Sequence, residues 1–265
     1  MGGDVKGKAG RFRPRVEWWA PALIAAAALG AWEGAVHLGL VSRLFFPAPS
    51  TICRTLYRQM TGGGLATDVG TTLRRIVLGF LLGAVPGAII GLGMGWSRRA
   101  RFIADPFVAA FHPLPKVALL PLFMIVLGLG ESSKLAVIGL ASFFPVVINA
   151  MAGVRQISPI HFEVARNYRA GWLKVFTRVV LPGSLPMMLT GARLAFNTAV
   201  VLTIAVELVA ARRGLGAVIW SAWETMRTEE LYGGIVVAAL LGVMFSALLR
   251  WAARRLAPWR TEREI

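Results

Sequence analysis

Along this chain, apolar positions gather into stretches of roughly the 20 residues that a helix rising 1.5 Å per residue needs to cross about 30 Å of hydrocarbon. They lie near Trp19 to Leu38, Ile76 to Trp96, Phe107 to Leu129, Leu135 to Val154, Leu185 to Ala210 and Leu231 to Trp251. The pattern predicts an all-α membrane protein with about six transmembrane helices. Pro113, Pro115, Lys116 and Pro121 interrupt the third stretch. It therefore reads as a broken helix, whose freed backbone groups need neighbouring protein or a water-lined cavity. The longest pieces between stretches run over 39–72, 155–184 and 211–230, and no soluble domain is visible. The chain divides into a basic segment 1–18, a membrane body 19–251 containing the loop 155–184, and a basic segment 252–265.

The second stretch carries a pattern sharper than hydrophobicity. Gly79, Gly83, Gly87, Gly91 and Gly95 recur every fourth residue and form one bare ridge on a helix. Such a ridge lets another backbone approach closely, so these glycines are expected to form a helix-packing seam. A second use would be a seam that slides or rocks during transport. Pro86, in the middle of the ridge, is expected to add a local bend.

Polar groups inside the stretches need partners or water, because an ionised side chain at mid-bilayer costs about 2.5–3.5 kcal/mol on insertion scales. Glu33 and His37 are four apart near the far end of the first stretch and are expected to pair at the interface. Arg193, Asn197 and Glu207 share the fifth stretch, with Arg193 and Glu207 about 21 Å apart along the axis, too far for a direct ion pair. Each needs a partner on another helix or contact with a pore. Lys116 and Asn149 join them as candidates for lining a translocation pathway, with helix-to-helix bonding the equal alternative.

Composition agrees with a bilayer setting: 56% of residues are hydrophobic, 16% are charged and the mean hydropathy is +0.64. One water-soluble core of ordinary composition cannot hide that much apolar surface. The net charge of +16 invites a nucleic-acid reading, but its distribution alternates with the stretches. Lys6, Lys8, Arg11, Arg13 and Arg15 precede the first; Arg98, Arg99 and Arg101 follow the second; Arg155, Arg166, Arg169, Lys174 and Arg178 follow the fourth; Arg250, Arg254, Arg255, Arg260 and Arg263 end the chain. Six crossings put all of these on one side, which the positive-inside rule makes the cytoplasm, with both termini there. Fewer basic residues, mainly Arg43, Arg54, Arg58, Arg212, Arg213 and Arg227, fall opposite.

The N-terminal basic region and the apolar run from Ala20 to Ala31 superficially match a secretory signal. The run continues past its alanines through Val36 and Leu38, and Trp18 and Trp19 suit an interfacial anchor, so a retained span is expected. Phe46-Pro47-Ala48-Pro49-Ser50 reads as a rigid turn in which Ser50 caps a short surface helix through Met60, ended by Gly62-Gly63-Gly64. Cys53 is the only cysteine, which excludes an internal disulfide and a cysteine zinc site. His37, His112 and His161 lie on separate elements without metal-ligand spacing, so no metal site is expected. There is no GxxxxGK[ST] phosphate loop, so any ATP used must be bound by another chain.

The loop 155–184 is richer in charge than a tight helix connection requires. Phe162, Ala165, Tyr168, Trp172, Val175 and Phe176 are spaced to give short helices with an apolar face, which could rest on the inner leaflet. Glu163-Val164-Ala165-Arg166, a small-residue turn near Ala170-Gly171, and Val179-Val180-Leu181-Pro182 together resemble the EAA loop of ABC importer permeases. The resemblance extends from about Phe46 to Trp259. It is carried by Phe46 to Ser50, Pro115-Lys116-Val117-Ala118-Leu119-Leu120-Pro121-Leu122, Gly128 to Lys134, Phe143 to Asn149, and Glu207 followed by Gly214-Leu215-Gly216. These segments, in this order, resemble the nitrate/sulfonate/taurine-type permease family.

That resemblance implies a type I ABC importer permease (MetI-like) fold in a homodimer whose two copies enclose the pathway. The chain would not be an enzyme. ATP and Mg would bind a partner ABC ATPase subunit, which docks on Glu163, Ala165, Arg166, Arg169, Gly171, Leu181 and Pro182. An extracytoplasmic solute-binding protein would deliver a small solute, expected to be an anion such as nitrate, a sulfonate or taurine. One departure matters. The family has glycine six residues after the glutamate, where this chain has Arg169, with Gly171 two residues later. Glycine accepts positive φ cheaply and arginine does not, so either the turn moves to Gly171 or the docking geometry differs. Two other classes are weighed: an ion-gradient-driven secondary transporter, for which Glu207 alone is thin support, and a membrane-embedded enzyme or assembly factor, for which no catalytic cluster exists.

Overall fold

The computed structural model describes residues 19–256, and every regular element among them is helical. The basic residues Lys6, Lys8, Arg11, Arg13, Arg15, Arg260 and Arg263, and the Trp18 anchor, lie outside the described residues. The elements are α1 (Ala20–His37), α2 (Pro49–Gly62), α3 (Leu65–Trp96), α4 (Arg98–Phe111), a 3₁₀ turn (Lys116–Leu119), α5 (Leu120–Leu127) and α6 (Glu131–Arg155). They continue as α7 (Pro159–Asn167), α8 (Trp172–Val175), a π turn (Phe176–Val180), α9 (Leu181–Ala210), α10 (Leu215–Glu224) and α11 (Thr228–Leu256).

By length and composition, four helical stretches could cross a membrane: Leu65–Trp96, Glu131–Arg155, Trp172–Ala210 and Thr228–Arg255. A fifth is the broken one, Arg98–Phe111 plus Lys116–Leu127, bent by 92°. The expected first span is not among them: α1 has 18 residues and carries Glu33 and His37 in its last two turns. The proline-rich break acts as expected, since Pro113 and Pro115 cannot donate to a helical ladder and the chain turns between Phe111 and Lys116.

Helix directions follow from who touches whom. Gly79 packs on Ile138 and Gly95 on Val154, so α3 and α6 run parallel over about 24 Å. The chain between them must return the same distance, which the broken pair does. Gly153 abuts Ser184 and Gly191 abuts Asn149, so α9 runs back against α6. Asn197 meets Ser246, and Gly242 approaches Val200, so α11 is antiparallel to α9. The bundle thus has an α7 end, with the loop 156–171, and an α10 end, with residues 211–227.

All five ridge glycines of α3 lie against α6. A Cβ at Gly83 would overlap the Gly139 carbonyl; at Gly87 it would sit 2.8 Å from the Phe143 carbonyl oxygen, and at Gly91 2.5 Å from that of Val147. Contact this close replaces the hydrophobic drive that lipid cannot supply between helices. α6 is the hub: half of its most apolar window is buried, against 17% for α11, which forms the periphery. Clusters around it include Leu120, Val137, Ala141, Leu202 and Val206 toward the α10 end, and Leu92, Ala150, Val154 and Val180 toward the α7 end.

α2 forms where the Pro49 turn predicts it, but Ser50 is not its cap. The N-cap is Ala48, without a side-chain bond, and Ser50 lies inside the first turn. Its N–H and hydroxyl both donate to the Glu33 carboxylate, at 3.0 and 2.7 Å. Glu33 thus satisfies an orphan donor of the α2 N-terminus from another helix, while also pairing with His37 at 2.9 Å.

Candidate functional site: a buried ion clasp and a helical lever

The first constellation sits at the α10 end. α3 begins 11 residues before Ile76, and its extra turns bring Asp68, Thr72 and Arg75 into line with the glycine ridge. Arg75 is 4% exposed and Glu207, on α9, is fully buried. Arg75 Nη1 donates to Glu207 Oε1 at 2.7 Å and to the Arg213 carbonyl at 2.6 Å. Its Nε and Nη2 grip the Glu131 carboxylate at 2.8 and 2.6 Å in a bidentate fork. Glu207 also accepts from the Thr72 hydroxyl and from the Gly216 N–H. Thr72 in turn accepts from Leu215 N–H at 2.8 Å, and Asp68 accepts from Gly214 N–H at 2.8 Å.

One guanidinium and two carboxylates therefore tie together α3, α6, α9 and the start of α10. A buried charge is tolerable only when paired and fully hydrogen-bonded, and this one is. Gly214 has φ +116, and a Cβ there would press into the Glu207 carboxylate; at Gly216 it would come within 2.6 Å of the Ile204 carbonyl oxygen. The Gly-Leu-Gly sequence is the space that lets the chain fold over Glu207.

The second constellation is the segment 155–184. α7 ends in a Schellman motif: Arg169 N–H bonds Arg166 O and Ala170 N–H bonds Ala165 O, both at 2.9 Å. The left-handed residue that the motif requires is Arg169, at φ +47. The turn has not moved to Gly171, which has φ −62 and caps α8 in an extended conformation. α8, the π turn and α9 then form one helical body of 39 residues, Trp172–Ala210. The π turn shifts the ladder ahead of Pro182, with Leu181 N–H reaching back to Phe176 O.

The expected apolar face divides in two. Phe162, Val175 and Phe176 pack on Leu92, Ala150, Val154 and Val180, and Trp96 stacks on Phe176 with centroids 5.2 Å apart. Tyr168 and Trp172, expected on that same face, instead stand 84% and 74% exposed. Glu163, Arg166 and Arg169 are exposed beside them, Ala165 and Pro182 are half-buried, and Gly171 and Leu181 are exposed.

The pathway candidates do not converge. Glu207 belongs to the clasp. Lys116 donates to His112 O and lies over the Phe144 ring, 5.4 Å from its centroid. Asn149 donates to Pro145 O at the α6–α9 contact. Asn197 accepts from Ser246 at 3.3 Å, and Arg193 is half-buried without a hydrogen bond or ion pair to the described residues. Sequence reasoning missed Asp68, Thr72 and Arg75 because the apolar window opened at Ile76. The signal was there: stepping back from Gly79 by four, three and four residues lands on Arg75, Thr72 and Asp68, the same helix face.

Comparison with known proteins fits this geometry. The family described as "Binding-protein-dependent transport system inner membrane component" matches residues 76–262. The taurine transport system permease protein TauC of Escherichia coli (strain K12) is 36% identical over 239 residues, covering 88% of this chain and 87% of its own. A Bacillus subtilis (strain 168) protein named aliphatic sulfonates transport permease protein SsuC is 34% identical over 252 residues, covering 95% and 91%. The nitrate import permease protein NrtB of Leptolyngbya laminosa is 27% identical over 198 residues, covering 75% and 71%. Among solved structures, a chain of the MetNI methionine ABC transporter in an inward-facing conformation superposes with a TM-score of 0.62 at 18% identity, over 75% of this chain and 96% of its own, which supports the type I importer fold. With its membrane-spanning helices and these relatives, the chain belongs to the binding-protein-dependent transport system inner membrane component family and is the permease, a non-enzymatic subunit, of an ABC importer that works with an ATPase and a binding protein.

Proposed function

We propose that this permease carries a small anion, of the sulfonate, taurine or nitrate kind, between two copies of itself, driven by a partner ATPase docked on α7 and α8. The observation that carries the docking reading is the uncovered aromatic pair, Tyr168 and Trp172, beside Glu163, Arg166 and Arg169. Large apolar rings standing free at the end of a rigid body are what a partner's groove buries. The relatives named for sulfonates, taurine and nitrate support the substrate class.

In this reading the α7 end faces the cytoplasm. Arg98, Arg99, Arg101, Arg155, Arg166, Arg169, Lys174, Arg178, Arg250, Arg254 and Arg255 all belong to that end, which suits the positive-inside rule. Segments 1–18 and 252–265 are then cytoplasmic. ATP and Mg are bound by the ATPase; its closure pulls on α8, and the continuous helix to Ala210 carries that displacement to the clasp. The binding protein and ATP shift the permease between inward-open and outward-open states only through unequal affinity for the two.

The test is reconstitution of the permease with its cognate ATPase and binding protein in proteoliposomes. Uptake should vanish with a catalytically dead ATPase and survive an ionophore. Tyr168→Ala/Trp172→Ala should inserts into membranes normally yet lose ATPase association; retention of the ATPase by that variant would overturn the docking face.

A further inference from the structure

The clasp forms one wall of a cavity of about 690 Å³ that opens at the α10 end. Arg74, Arg75, Lys134, Arg212 and Arg213 line it, against a single lining carboxylate, Glu131. Two of the five cations are already committed. Arg75 is held by Glu131, Glu207 and the Arg213 carbonyl, and Lys134 donates to Gly130 O at 2.9 Å with Glu131 3.9 Å away. Arg74, Arg212 and Arg213 make no side-chain hydrogen bond or ion pair to the described residues, and all three are exposed.

The positive-inside bias is carried by the α7 end, so guanidiniums at this opposite end are not required for topology. They are not required for the fold either: the loop 211–214 is fixed through its backbone, by the Arg213 carbonyl and the Gly214 N–H. What they share is the mouth of one concave space, backed by low-dielectric helix. A cleft lined by one sign of charge focuses its field and raises the local concentration of the opposite ion by about 10–1,000-fold. Guanidinium forks also match the planar or pyramidal oxygens of an oxyanion.

We propose that this cavity is an anion-selecting vestibule, in which Arg74, Arg212 and Arg213 receive the oxyanion group of the solute at the α10 end. The inference rests on the small-anion reading above and deepens it by naming the residues that discriminate charge. Its occupant is a small oxyanion, sulfonate or nitrate in type. The cavity volume suits such a group with its waters, and the three guanidiniums at its mouth oppose entry of a cation.

The experiment uses the full complex in proteoliposomes, with ethanesulfonate and nitrate as labelled solutes and two charge-matched variants. Arg212→Glu/Arg213→Glu alters the vestibule; Arg54→Glu/Arg58→Glu makes the same charge change on α2, away from it. Uptake at low ionic strength should fall about tenfold in the first and not in the second. Wild-type uptake should also weaken with added salt, while the vestibule variant should respond little, because charges beyond a Debye length of about 10 Å at 0.1 M are screened. Arg212→Gln/Arg213→Gln should fall between. Equal anion uptake by all variants overturns the vestibule and leaves the anion reading standing. Loss of binding-protein association in step with uptake also overturns it, by making this face a protein contact. A wild-type complex that moves only neutral or cationic solutes sinks the anion reading itself.

Discussion

Arg75 Nη1 lies 2.7 Å from Glu207 Oε1, with the two side chains 5% and 0% exposed, so each is the other's condition for being buried. Removing one partner strands the other, at a cost of about 3–5 kcal/mol, whereas replacing both by apolar groups of similar volume is often close to neutral. Glu207→Met or Arg75→Met alone should therefore strongly lower the thermal stability of the permease in detergent. Arg75→Met/Glu207→Met should recover much of that loss, with a coupling energy on the order of 0.5–3 kcal/mol. Thermal unfolding of the four proteins of this cycle measures it, and strictly additive losses would mean that the pair is not a unit.

Arg169 occupies at the end of α7 the place that Gly39 occupies at the end of α1, with φ of +47 and +73 in otherwise matching Schellman turns. A left-handed conformation costs an L-residue roughly 1–2 kcal/mol that glycine avoids. Arg169→Gly should stabilise this turn by about 1 kcal/mol and slow hydrogen exchange at the Ala170 amide. Arg169→Ala should bring no such gain. Since the side chain is exposed beside Tyr168, ATPase stimulation in the two variants separates a role for the guanidinium from a role for the turn. Loss in both means the side chain acts; loss in alanine alone means only the backbone matters.

Much of this fold is legible from period and punctuation. The four long spans, the proline-broken pair and the glycine ridge follow from apolar runs and from spacing that a straight helix converts directly into a face. The ion clasp is less so. Glu207, Glu131 and the Gly214-Leu215-Gly216 sequence are visible as elements of a family pattern, but their meeting depends on helices far apart in sequence. Arg75 in particular hides at the edge of an apolar window, because a hydropathy scan ends a span at its first charge even when that charge is buried. Tyr168 and Trp172 fail for the opposite reason. Helical spacing places them with Phe162 and Phe176, but the turn at Arg169 and the break before α8 interrupt the phase.

The seam between α3 and α6 separates two glycines of one helix. A Cβ at Gly83 would overlap the Gly139 carbonyl, whereas one at Gly93 would meet nothing within 4 Å. Gly83→Ala must push apart two backbones and should cost on the order of 1–3 kcal/mol, the usual range for overpacking. Gly93→Ala should be neutral or slightly stabilising, because alanine is the better helix former by about 0.8–1.0 kcal/mol. Melting temperatures in detergent test the contrast. Equal tolerance at both positions would show that α3 and α6 part easily, the behaviour expected of a sliding seam rather than a fixed one.

Gly214 and Gly171 make a matching contrast between two loops. Gly214 has φ +116 and ψ 167, a region left almost entirely to glycine, and its missing Cβ would sit about on the Glu207 carboxylate. Gly171 has φ −62 in open space. Gly171→Ala should stay within about 0.5 kcal/mol of the parent, while Gly214→Ala should cost about 1–3 kcal/mol from backbone strain and more from the displaced carboxylate. That second part makes the effect testable as a shared lesion. Once Glu207→Ala has removed the carboxylate, Gly214→Ala should add only its backbone share, so the double variant should lose less than the sum of the singles. Full additivity would place the Gly214 requirement in its dihedral angles alone and separate it from the clasp.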